Sequence, residues 1–216
     1  MFSDDKSIRV MKYLLKKRSV TQVEIETETR VSHSYVNEII QNLHDTNITS
    51  RPRYRGLVLS DPYKLIIGVG LENPMVYVRR YRMKGDKQFV EQKIAKAFHN
   101  KVKYAFTLLS ATPYYNLGAE GSRISFYVLD ESEELKTAYD LLEEIGAHQD
   151  DEYGTIEIYK ANKGVLYDRK EIVSRHAFVV SEEQLILDLF NDSSLSYIGS
   201  ELLKRSQSRI QSEAKK

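Results

Sequence analysis

The chain has 216 residues, 41% of them hydrophobic and 29% charged, a composition that excludes disorder, a collagen-like repeat and a coiled-coil rod. It contains no cysteine, which removes disulfides, thiolate zinc sites and cysteine nucleophiles together. The net charge of +1 conceals an asymmetry: residues 1–104 carry 20 basic and 11 acidic side chains and residues 105–216 carry 12 and 20, so a polyanion site is to be sought in the first half.

The opening run Met1–Asp5 lacks the basic-then-apolar pattern of a signal peptide, and no apolar run approaches the roughly 18 residues of a membrane span. A cytoplasmic protein without membrane contact is expected. Ile8, Met11, Leu14 and Leu15 then recur at spacings of three and four, the stripe of a helix over Lys6–Lys17 that Ser3 or Asp4 could cap. Thr21-Gln22-Val23-Glu24 has capping-box spacing and predicts a short helix from Gln22 to about Glu28. A third helix is expected from Ser32, with Val36, Ile39, Ile40 and Leu43 buried and His33, Ser34, Asn37, Glu38 and Gln41 facing outward.

Two compact helices joined by Thr29–Ser32 and preceded by a packing helix have the dimensions of a helix-turn-helix, whose last helix presents its first turns to the major groove. Ile48–Ser60 follows as two β-prone runs around a turn containing Arg, Pro and Gly, which reads as a wing. Arg51, Arg53 and Arg55 alternate, so in an extended strand they share one face as a cationic ridge for phosphates or a narrow minor groove. Ser32, His33, Ser34, Tyr35, Asn37 and Gln41 are the candidates for base edges or register, with Asn37 and Gln41 suited to adenine and Glu38 able to accept from a cytosine amino group. Thr21 and its helix amides are candidates for the backbone.

Val31–Leu43, the arginine-rich hairpin and Leu59–Ile66 resemble the winged-helix part of AbiEi-like antitoxins of type IV toxin–antitoxin systems and related regulators. Tyr104–Ala111, the strand Ile124–Leu129 and Val180–Leu189 resemble that family's C-terminal region, with Ser32–Leu43 and Gln184–Leu189 the specific stretches. The resemblance implies a DNA-binding autoregulator with double-stranded DNA as partner and, in some members, a nucleotidyltransferase-like toxin as a second partner. The sequence departs from the family where Glu26 stands for a small residue between the helices and where Arg30 stands for the usual turn glycine. Arg30 would have to adopt a left-handed conformation, or the turn must differ.

Between Leu65 and Lys103, Arg79, Arg80, Arg82 and Lys84 interleave with Tyr77 and Tyr81, either an extension of the DNA footprint or a solubilising edge strand or connector; Gln88–Phe98 has helical periodicity. Next come a strand at Ile124–Leu129, a helix over Leu135–Ile145 behind Asp130-Glu131-Ser132-Glu133, a strand at Thr155–Ala161 that could pair as a hairpin with Gly164–Tyr167, and a short strand at Phe178–Val180. Ser181–Gln184 is a capping box before Leu185–Phe190, and a last helix covers about Leu195–Glu213. The expected fold is α+β: a winged helix-turn-helix at 1–64, a basic connector at 65–104 and an acidic α+β domain, degenerate nucleotidyltransferase-like, at 105–216.

Nucleotidyl transfer needs paired carboxylates on a strand to hold two magnesium ions. After Gly121-Ser122 the strand carries Ser125 and Tyr127 at those positions and a single acid, Asp130, at its end. No two of His33, His44, His99, His148 and His176 stand at i, i+4, and no P-loop, G-x-G-x-x-G or G-x-S-x-G occurs. The expectations are therefore no catalytic activity, no cofactor and no metal. A sequence-specific repressor is the leading reading, and a dimer would need half-sites about 34 Å apart. The alternatives are a protein-interaction module that neutralises a toxin on a winged-helix scaffold, and a divergent nucleotidyltransferase.

Overall fold

The computed structural model describes residues 4–17, 19–51, 56–72, 75–119 and 121–213. Its contacts divide the chain into two compact units, Met1–Pro74 with Leu189–Lys216, and Met75–Asp188. This differs from the three expected segments. The chain end joins the N-terminal unit, and the basic stretch from residue 75 joins the acidic one.

In the first unit, α1 (Asp5–Lys16) starts at Asp4, whose carboxylate accepts from the amides of Lys6 and Ser7 at 2.7 and 3.0 Å. Its expected stripe of Ile8, Met11, Leu14 and Leu15 is buried. After β1 (Ser19–Val20), α2 (Gln22–Thr29) opens on a complete capping box: the Glu24 amide donates to Thr21 Oγ1 at 3.2 Å and the Thr21 amide to the Glu24 carboxylate at 2.6 Å. Arg9 Nη1 donates to the Thr29 carbonyl at 3.0 Å, tying α1 to the end of α2. α3 (His33–Asp45) buries Val36, Ile39, Ile40 and Leu43, the set its spacing predicts.

β2 (Thr49–Ser50) and β3 (Leu57–Leu59) pair antiparallel, and β1 adds to the far side of β3, giving the order β1-β3-β2. Gly56 has φ +65°, and a Cβ there would lie 2.7 Å from the Val20 carbonyl oxygen, so the approach of β1 requires glycine. α4 (Pro62–Glu72) runs from the end of the expected winged segment at 1–64 into the expected connector at 65–104, and it buries Leu65, Ile66 and Val69.

The second unit is a seven-stranded mixed sheet with helices. Its elements are β4 (Val76–Arg82), α5 (Lys87–Phe98), β5 (Tyr104–Thr107), α6 (Leu108–Ala111), β6 (Ile124–Leu129), α7 (Ser132–Glu144), β7 (His148–Gln149), β8 (Ile156–Ala161), α8 (Lys163–Leu166), β9 (Lys170–Ile172) and β10 (Ala177–Val179). α9 (Glu182–Asn191) carries the unit boundary, and α10 (Ser196–Glu213) returns to the first unit, burying Ile198, Leu202 and Leu203. The strand order is β7-β4-β8-β6-β5-β10-β9; β8 and β10 run parallel to β6 and β5 respectively, and the other pairs are antiparallel.

Alternation along β6 sends Ile124, Phe126 and Val128 into one apolar core with Val90, Ile94 and Phe98 of α5 and Leu135, Ala138 and Leu142 of α7. Phe98 meets Tyr104 and Phe126 edge-on at 5.3 and 5.5 Å. The architecture is therefore mixed α+β, as expected at that level.

Three local expectations are corrected. Gly164–Tyr167 is not a strand: β8 already has β4 and β6 on its two edges, and Asn162 accepts from the Val165 amide at 3.0 Å to start α8 instead. At α7 the box Asp130–Glu133 does not form; Glu131 takes the cap position without a side-chain bond. The basic cluster of β4 lies one strand in from the edge, and its charges are engaged within the unit. Arg80 pairs with Glu157 at 3.0 Å, Arg82 with Asp150 at 3.7 Å, and Arg79 lies over the Tyr139 ring at 4.4 Å. Grouped by unit, the balance is 16 basic against 12 acidic residues in the first and 16 against 19 in the second, a far smaller contrast than the two halves of the sequence suggest. Among the described residues no helix is long and apolar enough to cross a membrane.

Candidate functional site

The capped start of α2, the start of α3 and the turn between them fix which side chains the first unit offers to solvent. Arg30, at that turn, has φ 55° and ψ 38°, so the left-handed conformation that glycine would adopt freely is here imposed on arginine. Glu26, the other departure, reaches across to α3, where its carboxylate meets His33 Nδ1 at 2.7 Å, with Gln22 Nε2 3.3 Å from the same ring nitrogen. A hydrogen bond thus replaces the close packing of a small residue.

The candidate residues then separate by what they already hold. Ser32, His33, Ser34, Asn37 and Gln41 are exposed. Ser32 stands at the N-cap of α3 but makes no side-chain cap bond. Among the described residues the Asn37 amide has no hydrogen-bond partner, whereas Gln41 Nε2 donates to Asp45 at 2.9 Å. The His33 ring keeps one nitrogen clear of Glu26 and Gln22. Thr21 spends its hydroxyl on the capping box. Tyr35 is half-buried and its hydroxyl donates to Asp4. The hydrogen bond to Asp4, with burial, pushes the Tyr35 phenol up to about 12. Burial acts to raise the Asp4 carboxyl, but the Tyr35 hydroxyl and the Ser7 and Lys6 amides together hold it below its ordinary range. Arg51 is exposed, and Arg53 and Arg55 lie outside the described residues. The anchoring of Tyr35 on the first helix had no signal in the local sequence, since its partner is 31 residues away.

The second unit holds a polar cluster on the face of β6 that faces away from α5 and α7. Thr107, Ser125, Tyr127 and Glu157 are all buried there. Glu157 Oε1 meets Arg80 Nη2 at 3.0 Å and Arg123 Nη1 at 3.3 Å, while Glu157 Oε2 accepts from Ser125 at 3.3 Å and Tyr159 at 3.1 Å. Asp188, on α9, accepts from Thr107, from Tyr127 at 2.8 Å and from Gln184 at 2.8 Å. Complete burial, then the Asp188 charge, raises the Tyr127 phenol far above its usual range. Leu108, at the β5–α6 turn beside this cluster, has φ 47°, a strained backbone for a leucine. The carboxylates that meet Ser125 and Tyr127 come from β8 and α9, through contacts between segments distant in sequence.

No protein family matches the chain, and no curated protein matches it. Among solved structures it is similar to the polyadenylate synthase of Megavirus, with 10% identity and a TM-score of 0.42 over 72% of this chain. The aligned part spans 41% of that protein. That protein is a synthase, whereas the sequence leads to the expectation of a chain without catalytic activity.

Proposed function

We propose that the first unit binds duplex DNA as a winged helix-turn-helix and that the protein is a sequence-specific transcriptional regulator of the antitoxin-like kind. The observation that carries this reading is α3. Its apolar stripe is wholly buried, so packing fixes the helix rigidly, while Ser34 and Asn37 stand exposed on its outer face and the Asn37 amide is unengaged. A side-chain amide held in this way can bond both N6 and N7 of adenine in the major groove. The unused Ser32 hydroxyl and the first amides of α3 suit a phosphate. Arg51, with Arg53 and Arg55, would supply charge along the adjacent backbone or minor groove.

A gel shift on DNA from upstream of the coding region, over a salt series, tests it. Affinity should fall steeply between 50 and about 200 mM salt. Asn37→Ala should relax preference at one base step at a cost of about 1–3 kcal/mol, and the triple change of Arg51, Arg53 and Arg55 to Ala should weaken binding to all sequences alike. Wild-type affinity in the triple variant would reject the assignment of the wing.

A second reading is supported by one observation, the pairing of Ser125 with Glu157 across parallel β6 and β8, which puts a buried carboxylate beside the strand where transfer chemistry needs one. On this reading the second unit is a divergent nucleotidyltransferase. Label incorporated from a nucleoside triphosphate with magnesium, and lost in Glu157→Gln, would support it; no incorporation would reject it.

A further inference from the structure

We infer that the second unit binds a mononucleotide in a cleft at the carboxyl ends of β6 and β8, a site separate from the DNA-facing helix. The cleft has a volume of about 560 Å³, within the range of small-molecule sites. It opens where β6 ends at Leu129 and β8 ends, in register, at Ala161. Parallel strands characteristically leave a crevice for ligands at that end.

Its central feature is Arg169. The guanidinium lies on the face of Phe178 at 4.2 Å, and its Nη1 donates to the Tyr104 carbonyl at 3.0 Å. Stacking and this one bond hold the planar group in place and leave its other N–H donors for a ligand. Among the described residues no carboxylate lies within 4 Å of Arg169, although the group is half-buried and burial acts against its charge. An incoming phosphate would compensate that desolvation with a charge-assisted, bidentate contact.

The other lining groups fit the rest of a nucleotide. Lys103 and Lys163 flank the cleft, each tied to an acid on α7 or its cap, Glu134 at 3.5 Å and Glu131 at 3.3 Å. Both lysines keep more than half of their side-chain surface in solvent, so these exposed pairs cost little to loosen. Tyr167, 45% exposed, lines the cleft and is the aromatic group against which a base would stack. Among the described residues Glu171 is the one acid lining the cleft, and it is exposed on β9.

Calorimetric titration of the full chain with AMP, adenosine and inorganic phosphate tests the site. AMP should bind with a submillimolar Kd, and adenosine and phosphate each about tenfold more weakly. Arg169→Gln should weaken AMP about tenfold and leave adenosine unchanged; Tyr167→Leu should weaken AMP and adenosine and leave phosphate unchanged. Lys163→Ala, on an exposed side chain that does not threaten folding, should weaken AMP and phosphate a few-fold. Absence of binding up to about 10 mM AMP, affinity indifferent to all three substitutions, or phosphate bound as tightly as AMP would overturn the inference.

Discussion

Arg30 shows how a single residue departs from a pattern and what the departure costs. A non-glycine residue in the left-handed region pays roughly 1–2 kcal/mol, against which glycine loses roughly 0.5–1 kcal/mol of unfolded-chain entropy. Arg30→Gly should therefore stabilise the protein by about 0.5–1 kcal/mol, read as a raised urea midpoint. Asp4 is the second residue-scale test. Its folded pKa is lowered from the ordinary 3.8, so its contribution is complete above that value and disappears as pH falls through the lower folded one. Asp4→Asn keeps a cap but carries no charge, so the stability advantage of wild type over this variant should shrink as pH drops below about 4. At this scale the sequence was a good guide wherever partners are near in the chain. The Thr21–Glu24 box, the Asp4 cap and the strain at Arg30 are all visible within four residues. The Glu26–His33 and Tyr35–Asp4 bonds were not, because each needs the helices to be already folded against one another.

Among the elements, β6 is the most instructive. Its period of two correctly gave Ile124, Phe126 and Val128 a common apolar face, and an ordinary inference would leave Ser125 and Tyr127 to solvent. Both are buried instead, because Glu157 from β8 and Asp188 from α9 satisfy their hydroxyls. Nothing local signals such a match. Removing the Asp188 carboxylate leaves Thr107, Tyr127 and Gln184 without an acceptor, so Asp188→Ala should destabilise by roughly 3 kcal/mol or more in urea unfolding, and Asp188→Asn, which retains one acceptor oxygen, should cost less. Equal effects of the two changes would show that packing, rather than hydrogen bonding, dominates there. The misread segment Gly164–Tyr167 has the same origin: whether β8 has a free edge is a property of the sheet, not of the residues beside it.

For the whole molecule, the division into units revises the partition read along the chain. Residues 189–216 belong with residues 1–74, where Phe190 meets Tyr63 edge-on at 5.9 Å and Leu203 lines the same cavity as Leu15 and Val58. Composition alone could not reveal this, since a discontinuous unit has no linker signature at one of its borders. Replacing Leu202 and Leu203 by Ala should therefore lower hydrogen-exchange protection in α1 and α3 while leaving the amides of β5, β6 and β8 as they were. Loss of protection in the strands instead would contradict the partition.

The same discontinuity sets an order of events during synthesis. Residues 1–74 are translated before residues 75–188, yet the helix that completes their unit emerges more than a hundred residues later, after the intervening sheet unit has been translated in full. Completing that unit requires a loop closure of this length, so the sheet unit can assemble before the discontinuous unit is whole.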